Sequence, residues 1–166
     1  MADLILSRRS IRRFTPEPVS GEMVEAVLEA GRWAPSGLNN QPWRFAVIRD
    51  PKLKDRISRL TRYGSVVRSA NVLIAVFFDT VSGYDRTKDL QAIGACIENM
   101  LLAAHEQGLG SVWLGEILKS GPEVCSLLNA PDAYEFMALL ALGHPKGEPP
   151  GAPERKPLSE LVFFQK

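Results

Sequence analysis

The sequence predicts an α+β fold in a single domain that spans residues 1–166. Three observations support this prediction. The chain has 166 residues, which is close to the size of one ordinary domain and enough to bury a sizeable core. Segments with helical and with strand periodicity are mixed without strict β-α-β alternation. The sequence shows no linker, internal repeat or low-complexity tract that would divide the chain.

The first long helix is predicted after a proline-punctuated loop, FTPEPVSGEM. Ser20 is suited to be its N-cap, because a serine hydroxyl accepts a hydrogen bond from an amide of the first turn. Met23, Val27 and Ala30 then recur at helical spacing. Pro35 is expected to end the helix, and the segment around it, APSGLNNQPW, has the composition of a loop.

Two strands with a helix between them are predicted next. In WRFAVIRD, the side chains of Trp43, Phe45 and Val47 alternate as in a half-buried strand. Asp50 and Pro51 then provide a cap and a first helical residue for the segment KLKDRISRL. The continuous apolar run NVLIAVFFD has the length and the β-branched composition of a strand that is covered on both faces.

The strongest helix prediction covers residues 89–107. The middle of this segment contains only two strongly polar residues, Glu98 and Asn99, so the helix is apolar almost all round. Such a helix must be buried on several sides. In a chain of this size, that places it at the centre of the fold or at a subunit contact. Gly108 and Gly110 are expected to end it.

The C-terminal part of the chain is predicted to contain two more strands, SVWL and EFMALLALG, with a short helix, PEVCSLLN, between them. A proline- and glycine-rich loop, GHPKGEPPGAPERKP, follows, and the segment LSELVFFQK ends in a strand-like apolar run. Exposed apolar residues in a row near a chain end would favour aggregation. This run is therefore expected to be covered.

The segment SRRSIRRF, residues 7–14, contains four arginines, whereas the whole chain has a formal net charge of only +1. It could be a solvated basic turn, an arm that binds nucleic acid, or a pocket for a doubly charged anion such as phosphate. Arginine suits the third role, because its planar fork donates paired hydrogen bonds to phosphate oxygens. Nucleic-acid binders usually carry a basic domain or stripe, so a cluster this local favours a small anionic ligand.

Several other function classes have no support in the sequence. No stretch is long and apolar enough to span a membrane, and the N-terminus lacks the charge pattern of a signal peptide. Cys96 and Cys125 have no CxxC spacing, and His105 and His144 are isolated from each other, so we expect a reducing cytoplasm and no metal site. There is no GxSxG, P-loop or GxGxxG motif. If the protein is an enzyme, its chemistry therefore resides in a cofactor.

Three features occur together in this chain: the RRSIRRF segment, the APSGLNNQPW loop after the first long helix, and Arg155 and Lys156 just before the apolar tail. This arrangement resembles the nitroreductase-like flavin oxidoreductases. The resemblance extends to GACIENMLLAAHEQGLGSVWLGEI and ALGHPKGEPPGAPERKPLSELV, so it covers essentially the whole chain. It implies a central mixed or antiparallel sheet flanked by helices, a buried central helix at a homodimer interface, and FMN bound between the subunits.

The resemblance also implies roles for residues of the arginine cluster. Arg8 and Ser10, with Arg9 beside them, would hold the phosphate and ribityl chain of FMN. Arg12 would reach the pyrimidine edge of the flavin, where reduction places negative charge and a fixed guanidinium would favour the reduced form. The cluster would thus be divided between the two anionic ends of one cofactor.

Other parts of the chain would complete the same site. Arg155 and Lys156 would reach the phosphate from the far end of the chain. The backbone of Leu114 and Gly115 would face the ring near N5, which is the reactive atom, so no side chain is expected to be catalytic. Four residues would contact the flavin from the partner subunit: Pro35, Ser36, Gly37 and Asn39.

The implied activity is that of an FMN-dependent oxidoreductase. NAD(P)H would deliver hydride to N5 and leave, and a nitroaromatic, quinone or similar acceptor would then be reduced in the same site by a ping-pong mechanism. One alternative keeps the fold, since relatives dehalogenate aromatic substrates or consume reduced flavin. Such relatives tend to carry lid segments, and only the short link DTVSGYDRTKD could contribute to one here. The other alternative is a flavin-binding redox sensor without turnover.

For three residues outside this assignment, the sequence predicts simpler positions. Trp43 is expected in the core, Arg13 in solvent, and His105 against the end of its own helix. The resemblance also implies a basic residue beside the flavin from the segment before the NVLIAVFF strand, for which Arg62 is the nearest candidate.

Overall fold

The computed structural model describes residues 2–152 and 154–166, and it confirms the predicted α+β class. Within these residues, four strands form one sheet in the order β1-β2-β4-β3, and all neighbouring strands are antiparallel. The strands are β1 (Trp43–Ile48), β2 (Val72–Asp79), β3 (Gly110–Leu114) and β4 (Tyr134–Gly143). The helices are α1 (Ala2–Ser7), α2 (Gly21–Arg32), α3 (Pro51–Ser58), α4 (Gly64–Ser69), α5 (Arg86–Glu106), α6 (Gly121–Leu128) and α7 (Leu158–Leu161).

Helices cover the sheet on both faces, so the core has two layers. β2 shows this most clearly, because all eight of its residues are buried. Ile74 and Val76 pack in the layer that contains α2 and α5, whereas Leu73 and Phe77 pack in the layer that contains α3, α4 and α6. This arrangement confirms that the run NVLIAVFFD forms a strand buried on both sides.

The one-sided alternation predicted for β1 is only partly correct. Trp43 is buried in the core as expected, but Val47 is 42% exposed, and Ile48 beside it is buried. Ile48 belongs to the second core layer, on the opposite face of the sheet from Trp43. A strand in a sheet that is covered on both faces does not follow a simple hydrophobic-in, polar-out pattern.

Two predicted helix N-caps are confirmed by hydrogen bonds. The Ser20 hydroxyl accepts from the Met23 amide at 3.2 Å, and the Asp50 carboxylate accepts from the Leu53 amide at 2.7 Å. Each bond satisfies one of the amides that have no partner within the first turn of a helix. The start of α2 and that of α3 are therefore encoded locally.

The central helix α5 is buried along one face and partly exposed along the other. Ile93, Ile97 and Met100 are buried against the sheet and α2, whereas Leu90 is exposed and Ala95 is half-buried. Within a single chain, α5 is therefore buried only on its inner face, and not on several sides as predicted. None of the helices in the described ranges is long and apolar enough to cross a membrane.

The two glycines after α5 have different structural roles. Gly108 has a left-handed φ of 75°, which glycine adopts without steric penalty, and it follows the helix end as predicted. The prediction that Gly110 also ends the helix is wrong, because it is the first residue of β3. A Cβ there would lie 2.7 Å from Ile11 Cγ2, so glycine allows the segment after Ser10 to approach β3 closely.

The C-terminal segment does not form a strand within its own chain. α7 covers Leu158–Leu161, and residues 162–166 pair with no strand of the described chain. The predicted strand-like run is thus wrong for the single chain, because a strand requires a neighbour that satisfies its backbone groups. The segment exposes five large apolar side chains: Leu158, Leu161, Val162, Phe163 and Phe164.

Candidate functional site

Arg8 lies between α1 and the outer face of α5. Its Nε is 3.4 Å from Glu98 Oε1, close enough for charge attraction, and the Arg8 side chain is only 20% exposed. The geometry does not make a hydrogen bond, so Arg8 Nε is buried without a hydrogen-bond partner among the described residues. Such an ion pair with a half-exposed carboxylate contributes about 0–1 kcal/mol. A dianion with better geometry would compete with Glu98 for this guanidinium.

Arg9 has a different local role from its neighbour. Its Nη1 donates to the Leu6 carbonyl at 2.7 Å and to the Arg8 carbonyl at 2.9 Å. These bonds use carbonyl oxygens that have no partner at the end of a helix. Only part of its five-donor guanidinium is used in this way, so Arg9 retains donors for a second ligand next to Arg8.

His105 anchors the same end of α1 to α5. The Ser7 hydroxyl and His105 Nε2 are 2.8 Å apart. His105 lies in the last turn of its own helix, as predicted, but its ring also contacts Ser7. Its ring is engaged by a hydroxyl that is distant in sequence, and no local pattern could have revealed this contact.

Ser10 and Arg12 lie where the segment after α1 contacts β3. Ser10 forms a parallel bridge with Ser111, and the Ile11 amide donates to the Ser111 carbonyl at 2.9 Å. Arg12 Nη1 donates to the Ser10 carbonyl at 3.3 Å, and its side chain is exposed. Ser10, Arg12 and the exposed Arg13 line a cavity of about 300 Å³ beside residues 145–150. The structure thus divides the arginine cluster into two groups, with Arg8 and Arg9 apart from Arg12 and Arg13.

The loop from Pro35 to Gln41 is held in an unusual backbone conformation. Leu38 and Asn39 both have φ values of 55°, and Gln41 has one of 47°. Such left-handed conformations are costly for residues with a side chain unless the surroundings enforce them. Asn39 is exposed, whereas Pro35, Ser36 and Gly37 line a cavity of about 330 Å³ against Tyr84 and the outer face of α5.

A buried carboxylate holds this loop in place. Asp89, which is 1% exposed, accepts hydrogen bonds from Asn40 Nδ2 at 2.7 Å and from the amides of Tyr84 and Asp85 at 2.9 and 3.1 Å. Asn40 Nδ2 also donates to the Ser82 carbonyl at 3.1 Å. From the sequence, Asp89 is predicted only to lie at the start of a helix. Its contact with the loop from Pro35 to Gln41 comes from tertiary structure.

Replacing Asp89 with asparagine is expected to loosen the loop. The amide of Asn cannot accept at both of its terminal atoms, so at least one buried donor loses its partner, at a cost of about 1–2 kcal/mol. Chemical denaturation of Asp89→Asn measures this loss. Asp132→Asn, a change at an exposed residue, is the matched control. Equal stability of Asp89→Asn and the control would show that the buried bonds contribute nothing.

Leu114 and Gly115 lie at the end of β3, where the chain turns into a short 3-10 segment. The Leu114 side chain is buried, whereas Gly115 is exposed, and a Cβ built on Gly115 would meet no atom within 4 Å. The backbone at Gly115 is thus open to a flat ligand. Trp113 beside it is 42% exposed, which leaves both a structural role and a ligand contact open for this residue.

Glu116 connects the turn after β3 to the segment that precedes α4. Its carboxylate pairs with Lys119 and accepts from Thr61 Oγ1 at 2.7 Å and from the Arg62 amide at 3.2 Å. Lys119 first, and then Thr61, lower the pKa of Glu116 to about 2. The carboxylate is therefore charged at neutral pH. Through this contact, the backbone of Arg62 is brought close to the turn that contains Gly115, while its exposed side chain lies over the Tyr63 ring.

Arg155 and Lys156 are not joined to the arginine cluster within the chain. Arg155 Nη1 has a contact of 3.3 Å with the Glu154 carbonyl, and Lys156 Nζ lies 3.8 Å from Glu160 Oε2. Both residues are exposed on the C-terminal segment. Their assignment to a phosphate site remains a prediction, because the course of this segment is not set by its own core.

The residues present fit a flavin mononucleotide. The buried Arg8 Nε without a hydrogen-bond partner and the remaining donors of Arg9 suit a phosphate. The open backbone at Gly115 suits the face of a ring system.

No group of three or more His, Cys, Asp or Glu side chains that could hold a metal ion occurs in the searched part of the chain. Burial raises the pKa of the Cys96 thiol to about 12, so this cysteine is an inert core residue, as predicted.

The fold and these surfaces define an α+β protein with a site that fits a flavin cofactor. A family model described as "Nitroreductase family" matches residues 5–64 and 58–144. The chain therefore belongs to the nitroreductase family, and the predicted fold and oxidoreductase class are confirmed.

Individual relatives agree with this assignment. A protein of Archaeoglobus fulgidus, named as an NADH dehydrogenase/NAD(P)H nitroreductase, is 37% identical over 151 residues, covering 87% of this chain and 85% of its own. A crystal structure of a protein described as a nitroreductase, from Desulfovibrio desulfuricans in complex with FMN, is 49% identical with a TM-score of 0.93, covering 99% of this chain and 96% of its own. An iodotyrosine deiodinase of Thermotoga neapolitana is 31% identical over 187 residues, covering 98% of this chain and 97% of its own.

Proposed function

We propose that this protein is an FMN-dependent oxidoreductase that takes reducing equivalents from NAD(P)H and passes them to nitroaromatic, quinone or similar acceptors. FMN is the cofactor of the family and fits the residues present. When bound, it supplies the redox chemistry by exchanging hydride at N5. The observation that carries the proposal is the division of the arginine cluster around the Ser10–Ser111 contact. It offers separate cations for the phosphate and for the ring.

The protein's own residues bind and orient the cofactor. Arg8 and Arg9 would hold the phosphate with the Ser10 hydroxyl, and Arg12 would lie at the pyrimidine edge. A guanidinium fixed there stabilises negative charge on the ring without reorganisation. The backbone at Gly115 would lie against the ring, since it is open to a ligand. In this proposal, no side chain needs to transfer a proton as a general acid or base.

We further propose that the active protein is a homodimer with both flavin sites at its interface. Arg8 meets α5 at Glu98, and the Pro35–Gly37 cavity meets α5 at Ala95. These two positions are one helical turn apart on the outer face of α5. In a dimer that forms across this face of α5, residues of that loop from one subunit would lie next to the arginine site of the other. Exposed Leu38, at 85%, lies on the same loop and would be covered in such an interface.

The whole chain, residues 1–166, would act as one FMN-binding domain. Arg155 and Lys156 would reach the phosphate once the C-terminal segment is held by the partner. A cytoplasmic location is supported by the two cysteines of the described chain, which are both free thiols.

A second candidate function is reductive dehalogenation of an aromatic substrate. The relationship to an iodotyrosine deiodinase favours it. The alignment spans 187 positions, more than the 166 residues of this chain, so the deiodinase contains residues that this chain lacks. Only residues 80–85 connect β2 to α5 here, which leaves little chain for a lid over a specific substrate.

One set of measurements tests these functions. The purified protein should be yellow, with FMN released on denaturation, and anaerobic NADH or NADPH should rapidly bleach it. A nitroaromatic or a quinone should then restore the colour, whereas restoration by iodotyrosine with release of iodide would indicate the second candidate. Stoichiometric FAD instead of FMN, or a colour that persists with both nicotinamides, would contradict the proposal. Persistent colour is the result expected of a redox sensor.

A further inference from the structure

A separate cavity lies where the loop after the arginine cluster meets the ends of β1 and α4. It has a volume of about 460 Å³, within the range of small-molecule sites. It shares no lining residue with the cavity of Ser10 and Arg12. Its charged lining residues are all cations, Arg49, Lys54 and Arg68, and no carboxylate lines it.

The three cations are not neutralised within the described part of the chain, where none of them forms an ion pair. Each is held by uncharged acceptors instead. Arg49 Nη1 donates to the Val19 carbonyl at 2.7 Å, Lys54 Nζ to the Ala70 carbonyl at 2.6 Å, and Arg68 Nη1 to the Ser58 hydroxyl at 2.7 Å. These bonds fix the side chains but leave their charges uncompensated.

A further observation indicates a polar ligand. Thr15, which lines the cavity, has a buried Oγ1 without a hydrogen-bond partner among the described residues. Most buried polar atoms have a partner, so an exception suggests one that is not part of the chain. Burial lowers the pKa of Lys54, and a bound anion would favour its charged amine.

We propose that this cavity binds one small phosphate-bearing anion, separately from the flavin site. A phosphate monoester carries about −1.5 to −2 charges at neutral pH and offers three acceptor oxygens. The remaining donors of Arg49, Lys54 and Arg68 and the Thr15 hydroxyl match these acceptors. The formal net charge of the chain is only +1, so the cavity is a local concentration of positive charge rather than part of a basic surface for nucleic acid.

Inorganic phosphate is the probe that tests this site. It is titrated into the FMN-loaded protein at constant ionic strength, and the amide resonances of Thr15, Ser69 and Asn71 are followed by NMR. Loading with FMN keeps the flavin phosphate site occupied. We expect saturable shifts at these amides, and we expect Arg68→Gln and Lys54→Met to weaken phosphate binding roughly ten- to a hundredfold.

Matched controls separate this site from a general charge effect. Arg56→Gln and Lys52→Met remove the same charges from exposed positions of α3 that do not line the cavity. Thr15→Val removes an unpartnered hydroxyl, so it should weaken phosphate binding without lowering the denaturation midpoint. Absence of saturable shifts, or equal weakening by the controls, would overturn the proposal.

Discussion

Removal of residues 158–166 is expected to convert the yellow dimer into a colourless monomer. The C-terminal segment exposes Phe163 completely, at 101%, and Phe164 at 68% in the single chain. Burying one such side chain contributes about 1.5–3 kcal/mol. A row of apolar residues left exposed at a chain end would favour aggregation. We therefore predict that the segment packs on the partner subunit and holds the interface together.

The structure offers a surface that could receive this segment. β1 is at an edge of the sheet and pairs only with β2 within the described residues. A groove of about 810 Å³ lies between β1 and α2, with Trp43 and Phe45 among its lining residues. Glu22, Glu25 and Glu29 also line it, together with Arg32, which pairs with Glu29, and Arg44.

The truncation ending at Pro157 keeps Arg155 and removes only the segment proposed to hold the dimer. Flavin should be lost together with the dimer, because Pro35, Ser36 and Gly37 are proposed to contact the flavin of the other subunit. Light scattering and absorbance measure the two losses. A shorter truncation that removes Gln165 and Lys166 is the control and should remain a yellow dimer. If the Pro157 truncation behaves like this control, the segment does not hold the interface.

Arg8→Ala is expected to weaken FMN binding by about 1.5–3 kcal/mol, which corresponds to roughly a ten- to hundredfold higher Kd. The reason is that Arg8 is largely buried and its Nε has no hydrogen-bond partner in the described chain, so its hydrogen-bonding capacity is available to a phosphate. Its attraction to Glu98 is weak by comparison. Fluorescence titration of the apoprotein with FMN measures the change.

Arg13→Ala provides the control for Arg8→Ala, since it removes the same charge from an exposed neighbour in the same cluster. A small effect of Arg13→Ala beside a large effect of Arg8→Ala would support a specific phosphate contact. Equal effects of the two variants would indicate that FMN senses only the overall charge of the cluster, and the assignment of Arg8 would then be wrong.

The sequence by itself determined the features whose physical causes are local. Ser20 and Asp50 cap their helices because a hydroxyl and a carboxylate reach amides three residues away. The eight buried residues of β2 follow from an unbroken apolar run. The family, and with it the FMN cofactor, follows from motifs whose residues are close together in the chain.

Only the tertiary structure decided which distant residues meet. Asn40 and Asp89 are joined by one hydrogen bond that links the loop from Pro35 to Gln41 to the start of α5. Neither residue carries a sequence pattern that pairs it with the other. Arg49, Lys54 and Arg68 come from the end of β1, from α3 and from α4, and they surround one cavity. Contacts of this kind depend on how the helices pack over a sheet that is covered on both faces. Packing is cooperative and non-local, so it leaves no signal in the residues taken one segment at a time.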